Sequence, residues 1–114
     1  MTQCVLIVED DFLINMVLQD HLDESGFVTL VAFNADEAIA ILESRGDIDA
    51  VVTDIDMPGS MDGLCLAARV RERWAPIRIV VASGKHRPSA DDLPTNTMFL
   101  SKPYRLETVV DALR

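Results

Sequence analysis

The chain has 114 residues, 49% of them hydrophobic, which is enough for one domain with a core of its own. Its net charge of -9 argues against a nucleic-acid partner, because binding a polyphosphate requires clustered Lys and Arg. No stretch is long and apolar enough to span a membrane, so we expect no membrane partner.

The N-terminus and the two cysteines predict a cytoplasmic location. The first residues, MTQCVLIVEDD, carry acids where a signal peptide would carry cations. Cys4 and Cys65 have no Cys or His neighbours at the spacing of a metal site. We therefore expect both cysteines to be buried, reduced thiols.

Five apolar runs predict five strands, and they are mostly too continuous for strands exposed on one face. They are CVLIV at 4–8, VTLVA at 28–32, AVVT at 50–53, IRIVVA at 77–82 and TMFL at 97–100. Such runs are typical of a sheet that is covered on both faces.

Helical spacing of apolar residues follows each of the first three runs. The stripes are Ile14, Val17, Leu18 and Leu22, then Ala35, Ala38, Ile39 and Leu42, then Leu64, Ala67 and Ala68. Asn34 with Glu37 predicts a capping box, Gly26 and Gly46 stand where the first two helices should end, and RLETVVDALR predicts a last helix after Pro103. Alternating strands and helices predict a parallel sheet whose ligand site lies at the carboxyl ends of the strands.

The ends of the predicted strands carry the candidate site residues. They are Glu9, Asp10 and Asp11 after the first strand, Asp54 after the third, Ser83 after the fourth and Lys102 after the fifth. Carboxylates from neighbouring strands repel one another unless a cation lies among them, and Mg²⁺ suits an all-oxygen site. The alternative for the acidic triplet alone is charge that the N-terminus of a helix favours.

Ser83 and Lys102 carry weaker signals. A small hydroxyl at a strand exit indicates nothing by itself. An ammonium at the end of an apolar strand, facing acids, would neutralise a phosphoryl oxygen held there, although a lone lysine is usually a solvated surface group.

Four motifs together resemble the receiver domain of bacterial two-component response regulators. They are VLIVEDD, VVTDIDMPGSMDG, VVASG and FLSKPY, in family order over residues 1–114. The resemblance implies a doubly wound, five-stranded parallel sheet of flavodoxin-like fold with strand order 2-1-3-4-5. It also implies that Asp54 accepts a phosphoryl group from a sensor histidine kinase or a histidine phosphotransfer protein.

The resemblance assigns roles to single residues around the expected nucleophile. Asp10, Asp54 and the main-chain carbonyl of Asp56 would bind Mg²⁺, while Glu9 would hold metal-bound water. These assignments agree with the chemistry of the residues, since phosphoryl transfer to a carboxylate needs chiefly positioning and neutralisation of charge.

The resemblance also assigns the response to phosphorylation. Ser83 would bond the phosphoryl oxygens, and Lys102 would pair with them. Phe99 matches the aromatic switch position, with an ordinary core role as the alternative.

The chain departs from the family pattern at three places. The loop MPGSMDG has one residue more than usual, and Asp56 adds a negative side chain that Lys85 could pair with. The segment Gly84–Thr97 is short and contains Pro88 and Pro94, which disfavour a helix. We therefore predict a short or missing fourth helix and a mobile loop that becomes ordered on phosphorylation.

Two rival functions stay open. The three residues from Asp54 to Asp56, DID, also fit the Asp-x-Asp signature of haloacid-dehalogenase-like phosphohydrolases, although here they follow the third predicted strand and not the first. A flavodoxin-like interaction module that is never phosphorylated is the second rival, and the complete set of site residues argues against it.

The expected protein is a stand-alone receiver and not an enzyme with a separate substrate. It would assist only its own phosphoryl transfer and dephosphorylation. Its output would be an unknown partner protein, controlled through the surface around strands 4 and 5. A piece of a longer protein, such as a hybrid kinase, is the alternative.

Overall fold

The structure, a computed structural model, describes residues 2–114 and contains one parallel sheet in the order β2-β1-β3-β4-β5. The strands are β1 (Cys4–Val8), β2 (Val28–Ala32), β3 (Ala50–Asp54), β4 (Arg78–Ser83) and β5 (Thr97–Ser101). The α-helices are α1 (Phe12–Glu24), α2 (Ala35–Ser44), α3 (Gly63–Arg73) and α4 (Leu106–Leu113). The predicted flavodoxin-like fold and its strand order are confirmed. No helix within the described residues has the length and apolar character needed to cross a membrane.

Apolar side chains are buried on both faces of the sheet. On one face, Leu6 and Val51 pack with residues of α2 and α3. On the other face, Ile7 and Val52 pack with residues of α1 and α4. Because β1 and β3 are buried along their whole length, their sequences are continuous apolar runs.

The register of the sheet brings the strand ends together. Val8 of β1 pairs with Thr53 of β3, so the residues that follow them, Glu9 and Asp54, emerge side by side. Asp54 is itself the last residue of β3, as its predicted position at the strand exit requires.

Helix α1 faces the sheet differently from its predicted stripe. Leu18 and Leu22 are buried as predicted, but Ile14 is 41% exposed and Val17 is 50% exposed. Asn15 lies on the buried face instead, one helical turn before Leu18. A polar residue therefore takes the inward position next to the strand ends.

The prediction of two buried thiols is correct for Cys4 and wrong for Cys65, which is exposed. The residues that α3 buries are Gly63, Leu66, Ala67 and Val70. Cys65 lies between Gly63 and Leu66 but off this buried stripe, and it is exposed, as is Ala68, which the sequence had placed on the apolar stripe.

The three signals for helix ends agree with the structure: Asn34 is the N-cap of α2, and Gly26 and Gly46 follow the C-caps of α1 and α2. The Asn34 side chain accepts a hydrogen bond from the Glu37 amide at 2.8 Å, and the Glu37 carboxylate accepts one from the Phe33 amide at 2.8 Å. Gly26, which follows α1, has a φ of 97°, a conformation that favours glycine.

The fourth helix of the sequence prediction is reduced to one 3₁₀ turn. Between β4 and β5 the described residues contain only Ala90–Asp92 in helical geometry, and none of these residues is buried. The prediction of a short helix is confirmed. The predicted mobility of this loop stays a prediction.

Gly63 fixes the start of α3 against the end of β3. A Cβ atom at Gly63 would overlap the carbonyl oxygen of Asp54 and would lie 2.8 Å from the Cα of Ile55. The Gly63 amide also donates a hydrogen bond to the Ile55 carbonyl at 2.9 Å. Only a residue without a side chain allows this approach of two backbones.

Replacing Gly63 by Ala should therefore destabilise the fold by about 1–3 kcal/mol, because the methyl group must displace backbone and not a flexible side chain. Urea unfolding followed by the fluorescence of Trp74 measures the change. Gly46→Ala is the matched control, since a Cβ at Gly46 meets nothing within 4 Å and should leave stability nearly unchanged. Equal unfolding midpoints for the two variants would contradict the proposed contact.

Candidate functional site

Three carboxylates gather at the carboxyl ends of β1 and β3. The structure places oxygens of Glu9, Asp10 and Asp54 within 4.8 Å of one another. Glu9 is 4% exposed and Asp54 is 9% exposed, whereas Asp10 lies at the surface. The sequence prediction that these residues come together is confirmed by the geometry. An all-oxygen group of acids that solvent reaches on one side fits the ligand preference of Mg²⁺.

The three acids after β1, Glu9, Asp10 and Asp11, have different contacts. The Asp11 carboxylate accepts hydrogen bonds from the amides of Leu13 and Ile14, at 3.0 and 3.1 Å, and so caps α1. The amide of Asp11 donates to the Glu9 carboxylate at 3.1 Å. The helix-terminus explanation therefore holds for Asp11, while Glu9 and Asp10 face Asp54.

Asn15 fixes the loop that carries these acids. Its buried side-chain amide donates to the carbonyls of Glu9 and Ala32, at 3.1 and 3.2 Å. The Glu9 amide donates to the same Ala32 carbonyl at 3.1 Å. The loop after β1 is thus bound to the end of β2, which restricts the position of the Glu9 carboxylate.

Lys102 reaches across the sheet into the acidic cluster. Its ammonium lies 3.1 Å from Asp54 Oδ2 and 3.5 Å from Glu9 Oε1, and its side chain is 27% exposed. Burial lowers the pKa of Lys102, but the hydrogen bond with Asp54 and the charges of Asp54 and Glu9 raise it above its ordinary value overall. Lys102 therefore stays a cation beside the expected nucleophile, as predicted.

Glu9 has an unusually high affinity for a proton. Burial raises its pKa to about 7, and Asp10 and Asp54 add to the rise, whereas the Asp11 amide and Lys102 oppose it. A carboxylate in this state gains most from a cation, because a bound metal replaces the proton and neutralises the neighbouring acids.

Ser83 is buried at the end of β4, but its hydroxyl is bound to Asp56. Ser83 Oγ donates to Asp56 Oδ2 at 2.7 Å and accepts from the amides of Lys85 and His86, at 3.1 and 2.9 Å. In this state the hydroxyl is turned to Asp56, while its bond to a phosphoryl oxygen stays a prediction.

Asp56 has a different partner from the one that the sequence suggested. His86 Nδ1 lies 2.7 Å from Asp56 Oδ1, so His86 takes the position foreseen for Lys85. The hydrogen bond from Ser83 lowers the pKa of Asp56, and the charges of His86 and Lys85 lower it further against the effect of desolvation. Among the described residues the close ion pair of Asp56 is with His86, whereas Lys85 contributes its backbone amide to Ser83 Oγ and acts on Asp56 through its charge.

Phe99 lies in β5, partly buried, and its backbone pairs with Val81 of β4. Its ring packs against the core cluster under α2 and α3. This contact fits the alternative of a core residue, and a role as a switch stays a prediction.

Sequence reasoning missed Asn15, His86 and Tyr104. Asn15 could have been found, because it precedes Leu18 and Leu22 at helical spacing and so predicts a polar residue on a buried face. Tyr104 lines a small cavity beside Glu9 and Lys102, and burial raises its pKa, so it is a neutral phenol there. His86 has no periodic signal, since only the turn after β4 brings it to Asp56.

The fold and the site define a receiver-type phosphoacceptor domain. Residues 5–114 match the family described as the response regulator receiver domain, and the chain belongs to that family. Receiver domains of response regulators accept phosphoryl groups in two-component signalling and interact with sensor kinases or phosphotransfer proteins.

Similarity to individual proteins extends over nearly the whole chain. It is 31% identical to the transcriptional regulatory protein TcrA of Mycobacterium tuberculosis, over 96% of this chain and 44% of TcrA. It is 26% identical to sporulation initiation phosphotransferase F of Bacillus subtilis, over 100% of this chain and 93% of that protein. The crystal structure of a response regulator receiver protein from Sinorhizobium medicae matches with a TM-score of 0.89 and 27% identity, over 98% of this chain and 91% of that one. The chain thus spans less than half the length of TcrA.

The raised pKa of Glu9 predicts a specific dependence of stability on pH. The unfolded protein releases this proton near the ordinary value of 4.5, whereas the folded protein holds it to about 7, so folding is favoured below the lower value and loses stability as pH rises through the upper one. The side chain in Glu9→Gln has no proton to release, so this variant should not show the loss of stability at high pH. Without Mg²⁺, the variant should be more stable than the parent at pH 8, on the order of 2 kcal/mol, and equal to it near pH 4.

Urea unfolding at both pH values measures this difference in the free energy of unfolding. Glu107→Gln is a matched control, because Glu107 is exposed and lies away from the cluster. A pH profile of Glu9→Gln that parallels the parent would contradict the assignment.

Proposed function

We propose that Asp54 is the phosphoacceptor of a histidine-to-aspartate phosphorelay. The observation that carries this proposal is the position of the Asp54 carboxylate, 3.1 Å from the Lys102 ammonium and within one cluster with Glu9 and Asp10. Membership of the receiver family supports it further.

The proposed reaction moves a phosphoryl group from an imidazole nitrogen to a carboxylate oxygen. An Asp54 oxygen attacks the phosphorus of a phosphohistidine, the new P–O bond forms, and the P–N bond breaks. The electron pair of that bond returns to the donor imidazole, which takes a proton from solvent. Lys102 stabilises negative charge on the phosphoryl oxygens, and burial of Asp54 keeps this interaction strong.

Mg²⁺ is the proposed cofactor, held by Glu9, Asp10 and Asp54 with the main-chain carbonyl of Asp56. It would supply charge neutralisation for the transferred group. The residues present fit this ion because every donor is an oxygen and because Glu9 otherwise retains a proton near neutral pH.

The proposed donor is a sensor histidine kinase or a histidine phosphotransfer protein, and the proposed output is control of a partner protein. Ser83 and Phe99 would transmit the change to the surface around β4 and β5. The proposed location is cytoplasmic, and residues 1–114 are proposed to form one receiver domain. The protein would assist its own phosphorylation and dephosphorylation without acting on a separate substrate.

The two rival functions have less support. In the phosphohydrolase alternative Asp56 would act as a general acid, but its carboxylate is bound to Ser83 and its pKa is lowered, which disfavours the protonated form. For a module that is never phosphorylated, the approach of Lys102 to Asp54 would serve only to offset the charge of the acids.

Phosphorylation should occur at Asp54 alone. Acetyl phosphate with Mg²⁺ should add one phosphoryl group to the parent and none to Asp54→Asn, because the amide is not a nucleophile under these conditions. Intact-protein mass spectrometry measures the addition. Asp49→Asn is the control for loss of an acid outside the cluster, and persistent phosphorylation of Asp54→Asn would overturn the assignment.

Mg²⁺ should stabilise the parent through Asp10. At about ten times Kd the ion should raise the free energy of unfolding by roughly 1.4 kcal/mol, since it binds only the native state. The thermal midpoint, measured against Mg²⁺ concentration, should shift less in Asp10→Asn. Asp11→Asn keeps the cap and should shift as the parent does, and equal shifts in all three proteins would contradict the proposed metal site.

A further inference from the structure

The Ser83 hydroxyl is fully engaged in the structure. It donates its one hydrogen to Asp56 Oδ2 at 2.7 Å, and its oxygen accepts from the Lys85 and His86 amides. Ser83 is 1% exposed, so water cannot readily replace these partners. Any new hydrogen bond from this hydroxyl must therefore displace the bond to Asp56.

A serine hydroxyl carries a single donor, and this imposes an exclusive choice. Ionised phosphoryl oxygens and ionised carboxylate oxygens only accept hydrogen bonds, and neither group can donate one. Asp56 and a phosphoryl group on Asp54 therefore compete for one hydrogen of Ser83.

Asp56 is a strong competitor because it is itself held in place. His86 Nδ1 contacts its other oxygen at 2.7 Å, and the Asp56 side chain is only 26% exposed. The hydrogen bond from Ser83 to an ionised acceptor is also stronger than one to a neutral group. His86 belongs to the loop between β4 and the 3₁₀ turn, so the contact connects that loop with the phosphorylation site.

The geometry points to an autoinhibitory contact, the Ser83 latch, in which Asp56, buttressed by His86, withholds the Ser83 hydroxyl from a phosphoryl group on Asp54. This inference rests on the proposed function of Asp54. A phosphoryl group on Asp54 must break the hydrogen bond between Ser83 and Asp56, which weakens the binding of that group at the site. Once this bond is broken, His86 and the loop after β4 are released. The latch sets how readily the phosphorylated state switches this loop.

A thermodynamic cycle with a phosphoryl mimic tests the latch. Beryllofluoride binding in the presence of Mg²⁺ is measured by isothermal titration calorimetry for the parent, Asp56→Ala, Ser83→Ala and the double variant. Removing Asp56 should tighten binding about tenfold, the effect of one hydrogen bond to a charged group. In the Ser83→Ala background the same change should alter affinity less than about twofold, because no hydroxyl is left to release.

The cycle separates the latch from simple removal of a negative charge. If the charge of Asp56 alone opposed the mimic, the tenfold gain would persist without Ser83, and that result would overturn the latch. Asp56→Asn keeps an acceptor oxygen and should give a gain smaller than that of Asp56→Ala, while equal gains would also count against the latch.

Further variants guard against indirect effects. His86→Ala should tighten binding by less than Asp56→Ala but only where Ser83 is present, and no change would overturn the role of His86. Asp36→Ala removes another aspartate that accepts a hydrogen bond from a serine, Ser60 at 2.7 Å, and should leave the affinity for beryllofluoride unchanged.

Amide hydrogen exchange at Lys85 and His86, measured without beryllofluoride, should be faster in Asp56→Ala than in the parent if the latch holds this turn, and unchanged exchange would argue against it.

The outcomes distinguish this inference from the proposed function. Failure of the parent and all variants to bind beryllofluoride would overturn the role of Asp54 and the latch with it. Binding by the parent, combined with equal gains from Asp56→Ala in both backgrounds, would overturn the latch alone.

Discussion

Repulsion among carboxylates is the constraint on which the site depends. Glu9 and Asp54 emerge from adjacent strands in register, and the sheet gives them no room to separate. Lys102 offsets part of this charge from the far side of β4, and Glu9 offsets a further part by retaining a proton. The site is thus neutralised only in part by its own residues, which leaves it receptive to a cation and to the phosphoryl group that a cation accompanies.

Much of the fold could be predicted because the physical signals are redundant. Burial on both faces makes the central strands continuous apolar runs, and parallel strands place all their carboxyl ends at one edge. Glu9, Asp54 and Lys102 were found for this reason, since position at a strand end depends little on side-chain detail.

The orientation of helices and loops was harder to predict. Helix α1 begins with FLINMVL, in which several apolar stripes are possible, and only the spacing to Leu18 and Leu22 further along the helix indicates that Asn15 lies inward. Cys65 was assigned to the wrong face for the same reason. The contact of His86 with Asp56 depends on the turn after β4, and turn geometry leaves no periodic trace in a sequence.

Backbone contacts hold the end of β3 in a fixed position. The Asp54 carbonyl lies under Gly63, the Ile55 amide is bonded to the Ala82 carbonyl at 2.9 Å, and the Ile55 carbonyl accepts from Gly63. These contacts fix the main chain of Asp54, so it would not shift if the Asp54 side chain gained a phosphoryl group as proposed. Under the proposed function of Asp54, a structural change on phosphorylation would leave the main chain of β3 in place and would pass through the Ser83 and Lys102 side chains toward β5, the partly exposed edge strand.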